Sequence, residues 1–112
     1  MEIQTGQVGT VLVFDIDGVI TTDDSDDLRR LVKKANEEGH RNFLLNLENV
    51  TRVEEAAYGA LTWCYKLALD HGGACKLLNL PKRLEDKLAA YHILTVFDTF
   101  TNEAEAVASF GK

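Results

Sequence analysis

The chain has 112 residues, of which 46% are hydrophobic and 27% charged, and its formal net charge is −6 at pH 7. These values predict one small globular domain over residues 1–112 and exclude a disordered chain. The acidic balance argues against nucleic acid or an anionic membrane as partner, because phosphate binding depends on clustered Lys and Arg. Met1 to Gly9 shows no signal peptide, and no apolar run approaches the ~20 residues of a spanning helix, so we expect a cytoplasmic protein.

The first third of the chain predicts two strands and a helix. A weak strand within Glu2 to Gln7 precedes a strongly apolar strand over Thr10 to Ile16, and a turn near Gly6 to Gly9 makes the two a hairpin. The segment Asp23–Asp24–Ser25 supplies capping oxygens and negative charge for the start of the first helix. Apolar residues at i, i+3, i+4, i+7 spacing continue this helix as far as Gly39.

The middle of the chain predicts a strand, a connector and a second helix. The strand covers Asn42 to Leu47, the connector covers Glu48 to Val53, and the helix runs from Glu55 or Ala56 through Leu69. The pair Gly72–Gly73 ends the helix, since glycine takes the left-handed conformation after a last turn at little cost.

The last third predicts a strand over Ala74 to Asn79, a helix beginning at Pro81, a short strand over Val96 to Asp98, and a helix over Asn102 to Phe110. The whole order is then β, β, α, β, α, β, α, β, α. Strands that alternate with single helices predict a mostly parallel sheet with right-handed crossovers, covered by helices.

The cysteines and histidines predict no metal or cofactor. Cys64 falls on a predicted helix and Cys75 on a predicted strand, without CxxC spacing, so we expect both to be buried apolar residues. The three histidines, His40, His71 and His92, lie near predicted helix ends, where an imidazole can bond a terminal carbonyl.

The strand, connector, helix and glycine pair between Arg41 and Gly73 resemble the central segment of the STAS domain, the fold of bacterial anti-sigma factor antagonists. Further positions continue the resemblance from Thr10 to Phe110. They are Gly39, Leu45–Asn46–Leu47, Val50, Val53, Gly59–Ala60–Leu61, Pro81, Phe97, Glu103 and Ala104. The resemblance implies an α/β fold of STAS type (SpoIIAA-like), with a four- to five-stranded mixed sheet and about four helices packed on it.

The family's switch position is altered in this sequence. In STAS antagonists the central helix begins with Asp, Ser, Ser, Gly, and the second Ser accepts phosphate. Here Glu54 matches the Asp, Glu55 the first Ser, Ala56 the phosphoacceptor and Ala57 the Gly. The family's Asp after the second strand is Thr21. Because Ala56 has no hydroxyl, the resemblance implies a degenerate, non-phosphorylatable switch.

The resemblance also implies a non-enzymatic module that regulates transcription through partner switching. Its partner would be an anti-sigma factor of histidine-kinase-like ATPase fold or another STAS protein, and a homodimer stays open. The expected contact residues surround the switch. They are Thr21, Thr22, Glu54, Glu55, Ala56, Ala57 and Tyr58.

Two states of the altered switch remain open. Ala56 leaves the domain permanently competent to bind, or Glu55 imitates a phosphate and keeps the domain off its partner. We favour the first state, because Glu55 lies one position before the acceptor and a carboxylate carries less charge than a phosphate.

An enzyme is the alternative. The strand ending in Asp15–Ile16–Asp17–Gly18 resembles the first motif of haloacid-dehalogenase-type phosphatases. That resemblance makes Asp15 the nucleophile and Asp17 the acid and base, with Mg²⁺ bound by carboxylates. Against it, no second acidic pair follows another strand, and the chain is much shorter than that family's core fold.

Overall fold

The computed structural model describes residues 1–111, and within them five strands and four α-helices alternate after an initial hairpin. The strands are β1 (Glu2–Val8), β2 (Val11–Ile20), β3 (Asn42–Val53), β4 (Ala74–Leu78) and β5 (Thr99–Phe100). The helices are α1 (Thr22–Glu37), α2 (Glu55–Asp70), α3 (Lys82–Ala90) and α4 (Glu103–Ser109). One sheet has the order β1-β2-β3-β4-β5, with β1 antiparallel to β2 and the other neighbours parallel. The predicted α/β fold with a mixed sheet is confirmed.

The predicted C-terminal ends of two strands, β2 and β3, are wrong, because both strands are longer than predicted. β2 continues past Ile16 to Ile20, and the predicted connector over Glu48 to Val53 is the second half of β3. The register pairs Gly18 with Val50 and Ile20 with Val53, and it shifts at two irregular points on the way. In this part of both strands, exposed polar residues separate the buried ones. A prediction based on continuous apolar runs therefore ends the strands too early. Both strands therefore reach further toward the starts of α1 and α2 than expected.

The last strand is also displaced from its prediction. It covers Thr99–Phe100, whereas Leu94–Val96 forms a 3₁₀ turn after α3. Phe97 is buried and packs edge-on against Tyr65, with ring centroids 5.4 Å apart. Phe97 therefore lies just before β5 and packs in the hydrophobic core. Its apolar side chain indicates burial in the core and not membership of the strand.

The two faces of the sheet are covered unequally. Helices α1, α2 and α3 bury one face over the main core, whose largest side chains include Phe14 and Phe43. On the other face, α4 covers a small apolar cluster in which Ala106 meets Leu44 and Leu78. Because α4 has only seven residues, much of this second face is left to polar side chains.

The cysteines behave as predicted. Cys64 and Cys75 are buried and free, and burial raises the pKa of the Cys64 thiol to about 12. His71 also has the expected capping contact, with Nδ1 2.8 Å from the carbonyl oxygen of Leu67 in the last turn of α2. Between residues 1 and 111, no helix is both long enough and apolar enough to cross a membrane.

Candidate partner-binding site

The ends of β2 and β3 bring the two halves of the predicted site together. Ile20 pairs with Val53 at the ends of these strands, and the Glu54 N–H donates to the Ile20 carbonyl oxygen at 2.9 Å. Parallel strands end at the same edge of a sheet, so α1 and α2 both begin there. Thr21 and Thr22 therefore lie beside Glu54, although more than 30 residues separate them in sequence.

The start of α1 is closed by a capping box. Thr21 is the N-cap, and its Oγ1 accepts from the Asp24 N–H at 3.2 Å, while Asp24 Oδ2 accepts from the Thr21 N–H at 2.8 Å. That backbone hydrogen bond is the main reason that the pKa of Asp24 is lowered. The predicted capping segment Asp23–Ser25 is the first turn of α1, where Asp24 completes the box, but the N-cap itself is Thr21. Thr21, expected to be a contact residue, is half-buried as the cap.

The start of α2 lacks such a cap. Glu54 is its N-cap residue but makes no side-chain hydrogen bond to the first turn of α2. Its Oε1 instead accepts from the Thr22 N–H at 2.7 Å and from the Thr22 hydroxyl at 3.3 Å, and Arg52 lies 3.7 Å from its other oxygen. The Glu54 carboxylate therefore places its negative charge at the positive end of α1, where a helix dipole favours it. It links the first turns of the two helices.

The predicted contact residues of α2 divide into exposed and buried ones. Glu55 and Ala56 are exposed, whereas Ala57 is fully buried and Tyr58 retains only 6% of its surface. Tyr58, one of the expected contact residues, is therefore not an exposed aromatic side chain. Ala57 and Tyr58 belong to the core-facing side of α2, which they share with Leu61, and only one of the two alanines faces solvent.

A groove opens between α2 and the end of α3, on the side of α2 that carries Glu55 and Tyr58. The rings of Tyr58 and Tyr91 lie 5.1 Å apart at 58°, and the Tyr91 hydroxyl donates to Glu55 Oε1 at 3.4 Å. The groove encloses about 280 Å³, and Gly59, Thr62 and Ile93 complete its lining. Burial and the nearby Tyr91 raise the pKa of Tyr58, and desolvation and Glu55 raise the pKa of Tyr91.

Tyr91 is the site residue that sequence reasoning missed. It lies three residues after Leu88, at the spacing of an apolar helix position, but it is the C-cap residue of α3 and is 39% exposed. Its contacts reach back more than 30 residues to Glu55, so no local pattern could reveal them.

The two aspartates of the enzyme alternative lie elsewhere. Asp15 and Asp17 are within β2, which is paired on both sides at these positions, and not in a loop after the strand. Asp15 Oδ1 accepts from the Asn46 side-chain amide at 2.8 Å. Across residues 1–111, no three His, Cys, Asp or Glu side chains are grouped so that they could hold a metal ion.

A family model for the STAS domain matches residues 2–106. This chain belongs to the STAS domain family. STAS domains are generally binding modules and not enzymes, and this finding lends the phosphatase alternative no support. No curated protein sequence matches the chain.

Solved structures agree with the STAS assignment at the level of the fold. A candidate anti-sigma factor antagonist from Thermotoga maritima has a TM-score of 0.91 at 14% identity, over 98% of this chain and 95% of that one. The anti-sigma factor antagonist SpoIIAA in its unphosphorylated form has a TM-score of 0.84 at 15% identity, over 99% and 98%. The phosphorylated form of this Bacillus cell-fate determinant has a TM-score of 0.78 at 18% identity, over 96% and 98%.

Proposed function

We propose that this STAS domain is an anti-sigma factor antagonist-like binding module, which regulates transcription through partner switching without phosphorylation of its own switch position. The observation that carries the proposal is Ala56. It is exposed in the first turn of α2, matches the family's phosphoacceptor and has a methyl group where the acceptor has a hydroxyl. SpoIIAA, which has the same fold, is known in phosphorylated and unphosphorylated forms.

The exposed part of the predicted contact set supports a docking surface. Thr22, Glu55 and Ala56 face solvent, and Glu54 is partly exposed between them. Thr21, Ala57 and Tyr58 stay in the proposed site as the residues that hold this surface in shape. Tyr91 joins it at the rim of the groove, where an exposed aromatic side chain is typical of a protein contact.

The contacts of Glu55 favour the permanently binding-competent state. Its carboxylate lies within reach of the Tyr91 hydroxyl, at the rim of the groove, one residue away from the acceptor position. A fixed charge there differs in place and magnitude from the phosphate that a serine at position 56 would carry. We therefore propose that the surface at Ala56 stays neutral and open to its partner.

The proposed partner is an anti-sigma factor of histidine-kinase-like ATPase fold or another STAS protein, in a bacterial cytoplasm. We also propose that residues 1–112 act as one domain. A homodimer is compatible with this function.

Affinity capture with a matched pair of variants tests the proposal. Ala56→Asp adds a negative charge to the second residue of α2, and Ala104→Asp adds the same charge to the second residue of α4, which is also exposed. We expect wild type and Ala104→Asp to recover the same ATPase-type or STAS protein, as identified by mass spectrometry, and Ala56→Asp to lose it. Equal recovery by Ala56→Asp, or recovery of neither class by wild type, would contradict the proposal.

Restoring the hydroxyl provides a second test. Ala56→Ser should become phosphorylated at residue 56 when incubated with the captured ATPase and ATP, whereas wild type should remain unmodified there. Phosphorylation mapped to Thr22 or Thr62 in wild type would show that the switch has moved and would overturn the non-phosphorylatable assignment.

A further inference from the structure

The outer edge of β1 is unpaired in the part of the chain that the structure describes. β1 pairs with β2 without interruption from Glu2 opposite Asp17 to Val8 opposite Val11, and it is the last strand on its side of the sheet. Edge strands are commonly protected by Lys, Pro, a bulge or a short length. β1 has seven residues, a continuous register, one charged residue and neither Lys nor Pro. The opposite edge, β5, has only two residues.

The turn of the hairpin decides which backbone groups of β1 face outward. The loop Gly9–Thr10 has two residues, and in such hairpins the flanking pair, here Val8 and Val11, is hydrogen-bonded. Bonding then alternates along the strand. The N–H and C=O groups of Ile3, Thr5 and Gln7 therefore point to the free edge.

The spacing of these outward N–H and C=O groups allows β1 to pair antiparallel with β1 of a second copy of the chain. If a two-fold axis passes beside Thr5, then Thr5 lies opposite Thr5 of the second copy, and Ile3 lies opposite its Gln7. By the same symmetry, Gln7 lies opposite Ile3 of the second copy. Each of these three pairs is hydrogen-bonded, so together they form about six backbone hydrogen bonds. Glu2 then lies opposite Val8, and no like charges oppose each other along the strand.

The side chains next to this edge also favour pairing. Val8 is 44% exposed and would be covered by the aliphatic part of Glu2 from the second copy. On the α1 side, a groove of about 210 Å³ lies beside Thr5, with Leu12, Phe14 and Leu31 in its lining. Side chains of an added strand have room there and would cover apolar surface.

We propose that this protein forms a two-fold symmetric dimer through antiparallel β1–β1 pairing about Thr5, which joins two five-stranded sheets into one. The interface is isologous, because the same strand serves both subunits. β1 supplies none of the contact residues proposed around Ala56. Each chain carries a net charge of −6, so salt that screens the repulsion should strengthen the dimer.

Sedimentation equilibrium of purified protein at rising concentration and salt tests the dimer. Wild type should approach twice the monomer mass, and more readily at high salt. Thr5→Pro removes an outward N–H, which an edge strand tolerates, and should remain a monomer with an unchanged circular dichroism spectrum. Thr5→Val keeps the N–H and should dimerise like wild type. Dimerisation of Thr5→Pro equal to wild type, or a wild type that stays monomeric, would overturn the proposal.

Amide hydrogen exchange gives a readout that does not depend on the proline variant folding. In dilute protein, the amides of Gln4 and Gly6 should be protected by β2, whereas those of Ile3, Thr5 and Gln7 should exchange rapidly. Protection of these three should rise with protein concentration. If it does not, or if it rises only when another protein is added, the edge serves another occupant or none, and the dimer is excluded.

Discussion

The first turns of α1 and α2 begin side by side but are closed in different ways. α1 has its own capping box between Thr21 and Asp24, whereas α2 begins at Glu54 without a side-chain cap. The Glu54 carboxylate instead accepts a hydrogen bond from the Thr22 N–H in the first turn of α1. The difference shows that the first turn of α1 has its own side-chain acceptor, whereas the first turn of α2 has none. The first turn of α2 contains Ala56, the position of the proposed switch.

Among changes to these two helix starts, removing the cap of α1 should have the largest effect on the free energy of unfolding. Thr21→Ala deletes the acceptor for the Asp24 N–H and should lower the free energy of unfolding by about 1 to 2 kcal/mol, as is typical for an N-cap threonine. Urea denaturation monitored by circular dichroism measures the change. Thr21→Ser keeps the acceptor and should recover most of the loss. If Thr21→Ala were as stable as wild type, the box would contribute nothing.

Removing the link between the helices should have a smaller effect. Glu54→Ala leaves the Thr22 N–H without its protein acceptor and should cost about 1 kcal/mol or less, because the carboxylate is partly exposed and water can replace it. Glu103→Ala is the matched control, since Glu103 is an exposed acid in the first turn of another helix, α4. It should change the same unfolding free energy by less than about 0.5 kcal/mol. Equal losses in both variants would mean that the Glu54 contact adds nothing beyond one acidic charge.

The pH dependence of the capping box should be the smallest effect. The folded-state pKa of Asp24 is lowered, so its carboxylate contributes stability above the unfolded pKa of about 4, and this contribution disappears as pH falls through the folded value. Wild type should therefore be more stable than Asp24→Asn near pH 6, and the difference should shrink below about pH 4. Urea denaturation at a series of pH values measures it. Asp23→Asn, an exposed acid of the same turn outside the box, controls for the loss of one charge.

Much of the fold could be predicted from local pattern. Glycines at helix ends and apolar spacing predicted the element order, and the resemblance to STAS antagonists predicted the fold type. The predicted strand boundaries were wrong where polar and apolar side chains are mixed along a strand, as in Glu48 to Val53. One face of the sheet carries polar residues there, so the apolar run ends before the strand does. The structure brings the predicted contact residues after β2 next to those at the start of α2, but it buries two of them, Ala57 and Tyr58. The burial of Tyr58, the exposure of Tyr91 and the bond from Glu54 to Thr22 all depend on residues that are distant in sequence.

The bond between Glu54 and Thr22 has a consequence for the thermodynamics of docking. Because it fixes the starts of α1 and α2 to each other, the surface that a partner meets is already ordered before contact. Ordering of loops and side chains at an interface costs affinity, and a surface that is rigid in advance avoids part of that cost. On the function proposed above, a partner would therefore dock on a surface that is already rigid, and less of the binding free energy would be lost to ordering that surface.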